Sequence, residues 1–421
     1  MGAHDQPKKR RLGGDLSRLE RNWVSYDVGN SAFTLLVTTI LPIYFKSVAA
    51  AAGVSEAHYL AYWGYAASVT TIVVAVLGPI LGALSDRSRS KKQFFIGSVA
   101  IGILAMLGLI LPLSWFSFLI FYVVSKCGYQ ASLVFYDAML PDVSSDERMD
   151  KVSSYGFALG YIMSCIPFAL SLLFILFGPS IGLSLRFGMS AAIVINAAWW
   201  LIFTLPLLRT YQQRYYVERG KGEHAHVFRG LSRSIRAIAR NRKVFLFLLA
   251  FFFYIDGVYT IIDMAVAYGT SIGLGEQALL LALLVTQIVA FPATLAFSRL
   301  AKKYPNHQLI RICIIAYTLI AAFAVQLDKA WEFWLLAVCV GLFQGGVQAL
   351  SRSYYAQLIP KEESGGYFGI YDIFGKGAAF TGTTLVAVIT HASGRQSYGI
   401  AAIVVIFMIG YLLFALSLRK R

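Results

Sequence analysis

Charge is scarce in this chain. Only 14% of its 421 residues are Asp, Glu, Lys or Arg, whereas a soluble domain carries about 25%. Acidic residues are the scarcer kind, 21 against 37 Lys and Arg. Cysteines number four and histidines six. Cys127, Cys165, Cys313 and Cys339 fall in separate apolar stretches with no pairing motif and no metal spacing, so they read as small core residues. His224 and His226 sit in a polar segment, and that pair alone is weak evidence for a metal. No Gly-x-x-x-x-Gly-Lys loop occurs, so the chain is not expected to drive work by its own ATP hydrolysis. No cofactor is expected. Catalysis inside a membrane needs a nucleophile–base or metal constellation at one depth, and the apolar stretches lack histidine away from their ends.

Apolar length is what the chain has instead, with 58% hydrophobic residues. About 20 mostly apolar residues cross a bilayer as a helix. Twelve stretches qualify, near 29–51, 60–84, 94–113, 115–138, 153–177, 184–208, 244–268, 277–299, 308–327, 331–350, 367–390 and 397–418. The expected fold is an all-α membrane protein, with residues 1–28 as a tail and the start of helix one. Six-helix bundles are expected over 29–208 and 244–418, with a linker at 209–243 and a tail at 419–421.

The formal net charge of +16 would suggest nucleic acid in a soluble protein. Its distribution argues otherwise. With the N-terminus, even-numbered loops and C-terminus on one side, that side holds 31 of the 37 Lys and Arg residues. Lys46, Arg186, Lys329 and Arg395 fall opposite, and Lys126 and Lys376 fall inside spans. Cytoplasmic loops are enriched in Lys and Arg, so both termini are expected in the cytoplasm. Lys8-Lys9-Arg10-Arg11 then reads as part of a positive-inside tail, not as a signal peptide or a nuclear address. In the linker, residues 229–243 set Arg233, Arg236, Arg240, Arg242 and Lys243 at helical spacing beside Leu231, Ile235 and Ile238. That pattern predicts an amphipathic helix on the anionic cytoplasmic leaflet.

The two halves are weakly alike. Tyr136-Asp137-Ala138-Met139-Leu140-Pro141 closes span four, and Tyr355-Ala356-Gln357-Leu358-Ile359-Pro360 follows span ten. Lys91 and Lys92 follow span two much as Lys302 and Lys303 follow span eight. Together these fit parallel six-helix repeats.

Span two ends Gly78-Pro79-Ile80-Leu81-Gly82-Ala83-Leu84-Ser85-Asp86-Arg87-Ser88-Arg89-Ser90-Lys91-Lys92. Gly78 and Gly82 share a face that admits a close neighbour. Asp86 among basic residues suits charge-assisted hydrogen bonds. The stretch resembles the Gly-x-Leu-x-Asp-Arg-x-x-x-Lys-Lys loop of the major facilitator superfamily, matched by Gly82, Leu84, Asp86, Arg87, Lys91 and Lys92. Three further stretches narrow the resemblance: Asn22 to Phe33 with Pro42-Ile43-Tyr44-Phe45; Phe135 to Pro141 with Gly156 to Tyr161; and Gly345 to Ser353 through Pro360 to Asp372 and Lys376. They look like the branch containing the autophagy-related vacuolar amino-acid effluxers and their bacterial relatives. The resemblance implies a monomeric secondary transporter of small polar solutes, with amino acids as the candidate substrate and proton coupling as the candidate drive. It implies a bacterial plasma membrane, or alternatively a vacuolar one. The rival of another class is a non-transporting receptor or scaffold of the same fold.

Ionisable groups at mid-membrane are costly and must face a cavity or a partner. Span one offers Asp27, Asn30, Thr34 and Thr38, and span four Lys126, Tyr129, Gln130 and Asp137. Span seven offers Asp256, Tyr259, Thr260 and Asp263, and span ten Gln344 and Gln348 leading to Arg352. Each set shares one helical face. Candidate substrate or coupling residues are therefore Lys126, Asp256, Asp263, Asp27, Asn30, Tyr129, Gln130, Tyr259, Gln344 and Gln348. Lys126 is expected to meet a carboxylate, and Asp256 or Asp263 an ammonium group or Lys126 itself. The alternative for each is a structural pair between helices. Gly82, Asp86, Arg87, Lys91 and Lys92 are the candidate conformational latch, and Asp372 and Lys376 an i,i+4 structural or gating pair.

Overall fold

An apolar stretch can satisfy its backbone within a bilayer only as a helix or a closed barrel. The computed structural model describes residues 16–87, 89–218, 227–271, 273–327 and 329–419. Among them are twelve helices long and apolar enough to cross a membrane. They are α1 (Arg18–Ala51), α2 (Glu56–Ser85), α3 (Lys91–Gly108), α4 (Trp115–Ala138), α5 (Asp146–Phe177) and α6 (Leu185–Thr210). The second six are α7 (Arg242–Ser271), α8 (Glu276–Leu300), α9 (Asn306–Ala324), α10 (Ala330–Leu358), α11 (Ser364–Ser393) and α12 (Gln396–Leu418). The run Lys8 to Arg11 and the pair His224 and His226 lie outside the described residues.

Several helices outrun their apolar stretches. The first begins at Arg18, ahead of the apolar stretch near 29–51, because its first turns are buried in protein. Ser17 caps it, accepting from the Glu20 N–H at 3.2 Å while Glu20 accepts from the Ser17 N–H at 2.7 Å. Trp23 then stacks on Tyr136 at 4.2 Å between centroids and donates to its carbonyl at 3.0 Å. Within α1, Leu36–Ile40 widens into a π turn just ahead of Pro42. Proline has no N–H to give the preceding turn, and a π turn absorbs the missing bond. The Thr38 and Thr39 hydroxyls bond back to the carbonyls of Thr34 and Leu35 at 2.9 and 2.5 Å.

The packing repeats. In the first half α1 packs on α5 and α6, and α3 on α4; in the second, α7 packs on α11 and α12, and α9 on α10. The halves meet through two exchanged pairs, α2 with α11 and α5 with α8. One pairing maps onto the other under the same two-fold relation, as parallel repeats require.

The segment after α6 does not leave the bundle. Gln213 accepts from the Lys91 N–H at 3.1 Å and donates to the Ser85 carbonyl at 3.3 Å, and the Val217 N–H donates to the Asp86 carbonyl at 2.8 Å. The linker helix spans Val227–Arg240. It packs against α2, α7 and α11, with Ile238 and Ser234 buried and Ile235 exposed. Part of its apolar face is thus turned to protein, where the sequence pattern pointed to the bilayer.

Candidate functional site

Two polar assemblies join the halves at the end of the bundle where α1 starts and α12 stops, and a cavity lies above them. The first assembly centres on Arg352, near the end of α10 and 3% exposed. Its guanidinium donates to Asp27 Oδ2 of α1 at 3.0 Å, to Asp137 Oδ1 of α4 at 3.1 Å, and to the hydroxyl and carbonyl of Ser153 in α5 at 2.9 and 3.1 Å. It also lies over the rings of Trp23 at 4.7 Å and Phe157 at 4.3 Å. The planar fork of Arg is the side chain suited to several acceptors and ring faces at once. Gly156 makes room for it, since a Cβ there would strike the Asp27 carboxylate.

The second assembly is built on the loop after α2. Asp86 sits ahead of the first turn of α11, whose N–H groups have no intrahelical partner. Gly365 and Gly366 donate to its Oδ1 and Oδ2, each at 2.8 Å. A carboxylate there is also favoured by the helix dipole. The approach needs glycine on both sides: a Cβ on Gly82 would collide with the Gly365 carbonyl, and one on Gly365 with the Gly82 carbonyl. Lys91, fully buried, lies 3.5 Å from Asp86 and 3.6 Å from Asp142. It donates to the Ala138 carbonyl at 3.1 Å and to the Ser364 hydroxyl at 2.8 Å. Burial pushes the Asp86 carboxyl up to about 6, against the opposing pull of Lys91 and the two glycine N–H groups. Gly82, Asp86 and Lys91 thus form one contact, whereas Arg87 pairs instead with Val217 in a lone β-bridge and Lys92 is half-buried outside it.

Above the Arg352 node lies a central cavity of about 290 Å³. Helices α1, α4, α5, α7, α8, α10 and α11 all line it. Asp27, Asn30, Tyr129, Tyr259, Gln348, Asp372 and Lys376 are among the lining residues. Asp372 and Lys376 are paired at 2.6 Å on α11. Tyr129 shares a 2.8 Å hydrogen bond with Thr34, tying α4 to α1 beside the π turn. Asn30 donates to the Tyr26 carbonyl at 3.0 Å and to Asp27 at 3.3 Å.

Five of the candidate residues stand elsewhere. Asp256 is 1% exposed and faces α11, accepting from the Gly382 N–H at 2.8 Å and from Thr260 at 3.4 Å. Lys126 donates to the Tyr122 hydroxyl at 3.2 Å and lies over that ring. Asp263 is exposed on α7. Among the described residues no ion pair of 4 Å or less joins Lys126 to Asp256 or Asp263, although Lys126 is near enough to Asp263 to act on its carboxyl electrostatically. Gln130 and Gln344 are buried outside the central cavity.

Asp142, Ser153 and Gln213 were not singled out from sequence. Asp142 follows the Leu140-Pro141 break and accepts from the Tyr211 hydroxyl at 2.6 Å and from the N–H groups of Arg214 and Tyr215, each at 2.9 Å. An acid directly after the repeated Tyr-to-Pro stretch, at a helix break, was the available signal. Ser153 and Gln213 offered none.

Comparison with known proteins fits this geometry. The family described as vacuole effluxer Atg22-like matches residues 18–421. The MFS-type transporter YxiO of Bacillus subtilis is 41% identical over 95% of this chain and 94% of its own length. Autophagy-related protein 22 of Coccidioides immitis is 23% identical over 81% of this chain and 70% of its own. Among solved structures, the human organic anion transporter MFSD10 superposes with a TM-score of 0.72 at 15% identity, covering 97% of this chain and 100% of that one.

Proposed function

This chain belongs to the Atg22-like family of the major facilitator superfamily, a family of multi-pass membrane transporters, and we propose that it moves a small zwitterionic solute through the central cavity by alternating access. One observation carries the reading. A cavity lined from both halves holds Asp27, Asp137, Asp372, Arg352 and Lys376, while half-to-half contacts shut it at one end. Charges of both signs around about 290 Å³ suit a solute with a carboxylate and an ammonium group. Amino acids are the simplest such class, and the effluxer description of the family fits export of a solute.

In this reading the Asp372–Lys376 pair opens to receive the two ends of the solute, Lys376 taking the carboxylate and Asp372 the ammonium. The Arg352 node and the Asp86 contact hold the shut state, and breaking them opens that end. Arg352 faces two carboxylates with one charge, so a proton on Asp137 completes the neutralisation and couples transport to the proton gradient. The shut end is the cytoplasmic one, since it carries the Lys- and Arg-rich loops. The protein works as a monomer in a bacterial plasma membrane, with the linker helix against the anionic leaflet.

The test is exchange of labelled amino acids in proteoliposomes. Wild-type protein exchanges them. Asp372→Asn abolishes exchange by leaving Lys376 unpaired. The double change Asp372→Asn with Lys376→Gln recovers thermal stability without recovering exchange. Full exchange by the double variant contradicts the proposal.

A further inference from the structure

A side pocket of about 60 Å³ lies between α7, α8 and α10. Its walls are apolar, formed by Ile261, Ile262, Leu279, Ala282, Phe333 and Val340. Two amides break the pattern. Gln287 lines both this pocket and the central cavity, so the two spaces adjoin. Gln344 lines the pocket and is 3% exposed. Gln287 Oε1 and Gln344 Nε2 are each buried without a hydrogen-bond partner. The other polar group in the wall behaves differently: the Thr286 hydroxyl lies within hydrogen-bonding reach of the carbonyls of Ala282 at 2.9 Å and Ala337 at 3.2 Å.

Burying an unpaired amide acceptor and an unpaired amide donor costs stability, and Leu or Met at either position would remove that cost. Packing therefore does not account for two glutamines in an apolar recess. A ligand group does, provided that it both donates to Gln287 and accepts from Gln344. The recess is too small for a whole solute, so the rest of the molecule must stay in the cavity of about 290 Å³ next door.

We infer that this pocket is a side-chain compartment of the substrate site, taking a short apolar group that ends in a primary amide or a hydroxyl. The inference rests on the central cavity being the site for a zwitterion. Gln287 and Gln344 are then the residues that set specificity: the cavity charges hold the head of the solute, and the two amides sort its tail. A site built to bond a polar tail disfavours an apolar tail of the same shape, because its own polar groups are then left unpaired.

Asparagine and leucine have nearly the same shape and differ in that respect. Their binding to the purified full-length protein is measured by thermal shift and by competition in proteoliposomes. Wild type is expected to prefer asparagine by about tenfold or more, the order of one buried hydrogen bond matched or lost. Gln344→Met and Gln287→Met each bring the ratio close to one and strengthen leucine binding. A wild-type ratio near one, or a ratio unchanged in Gln344→Met, means that the pocket holds water and overturns the inference while leaving the cavity reading intact. Binding of neither amino acid overturns the cavity reading and this one with it.

Discussion

Arg352 is the residue on which the shut end depends, because it supplies the single positive charge between Asp27 and Asp137. Removing one partner of a buried ionic cluster leaves the others uncompensated, at a cost of roughly 3–5 kcal/mol. Arg352→Gln should lower the thermal midpoint markedly and abolish exchange. Arg352→Lys should not rescue, since one ammonium cannot serve Asp27, Asp137 and Ser153 from a single plane; recovery of exchange by Lys would count against the node. Asp86 makes a pH-dependent contribution. Its carboxyl, raised to about 6 in the shut state, has an ordinary value of about 3.9 when exposed. A raised value means that shutting takes up a proton. The stabilisation is full below about pH 4 and is lost as pH rises through about 6. Lowering pH from 7 to 5 should therefore slow modification of a cysteine placed at buried Ser85 by more than the loss of thiolate slows a cysteine at exposed Gln93, and Asp86→Asn should reduce that excess. At this scale the sequence was informative where a motif fixed both partners, as with Gly82, Asp86 and Lys91. It was not where a polar residue inside a helix had two possible neighbours. Asp256 has the same spacing as a cavity residue, yet the absent side chain at Gly382 lets it reach the backbone of α11 instead.

The contact between α2 and α11 is set by hydrogen in place of side chains. Gly82 and Gly365 face each other, and a methyl group on either would meet a carbonyl oxygen. Gly365→Ala should hold the two helices apart, break the Asp86 bonds and leave the bundle folded. In a background without other cysteines, Ser85→Cys should then react about tenfold faster with a water-soluble maleimide, a shift of about 1.4 kcal/mol toward the open form. An unchanged rate would show that the helices part elsewhere. The twelve helices themselves were legible because hydropathy reports the part of a helix bathed in lipid. Their ends were not, because the first turns of α1 are buried by Tyr136 and its neighbours and carry a protein-core sequence. The strap formed by Gln213 and Val217 across the Asp86 loop was equally hidden, since nothing in a polar linker announces which backbone groups it will meet.

Over the whole molecule, the offset similarity between the Tyr-to-Pro stretches corresponds to real repetition: the packing pairs of one half recur in the other, and the halves exchange α2 and α5 contacts for those of α11 and α8. Such an arrangement can rock about the central cavity, provided that what joins one end separates when the other end joins. The charge distribution predicts the orientation. A cysteine at Ser393 should be labelled from outside intact cells and one at Lys302 should not, and the reverse pattern would invert the topology. Alternating access itself is tested most directly by electron–electron distance measurements on two spin-label pairs at exposed positions. One pair, Gln93 with Lys303, spans the halves at the shut end, and the other, Ala51 with Ser393, spans them at the opposite end. Arg352→Gln needs no known substrate to bias the equilibrium. The account predicts that this variant lengthens the Gln93–Lys303 distance and shortens the Ala51–Ser393 distance. Distances that stay fixed, or that change in the same sense at both ends, would contradict it.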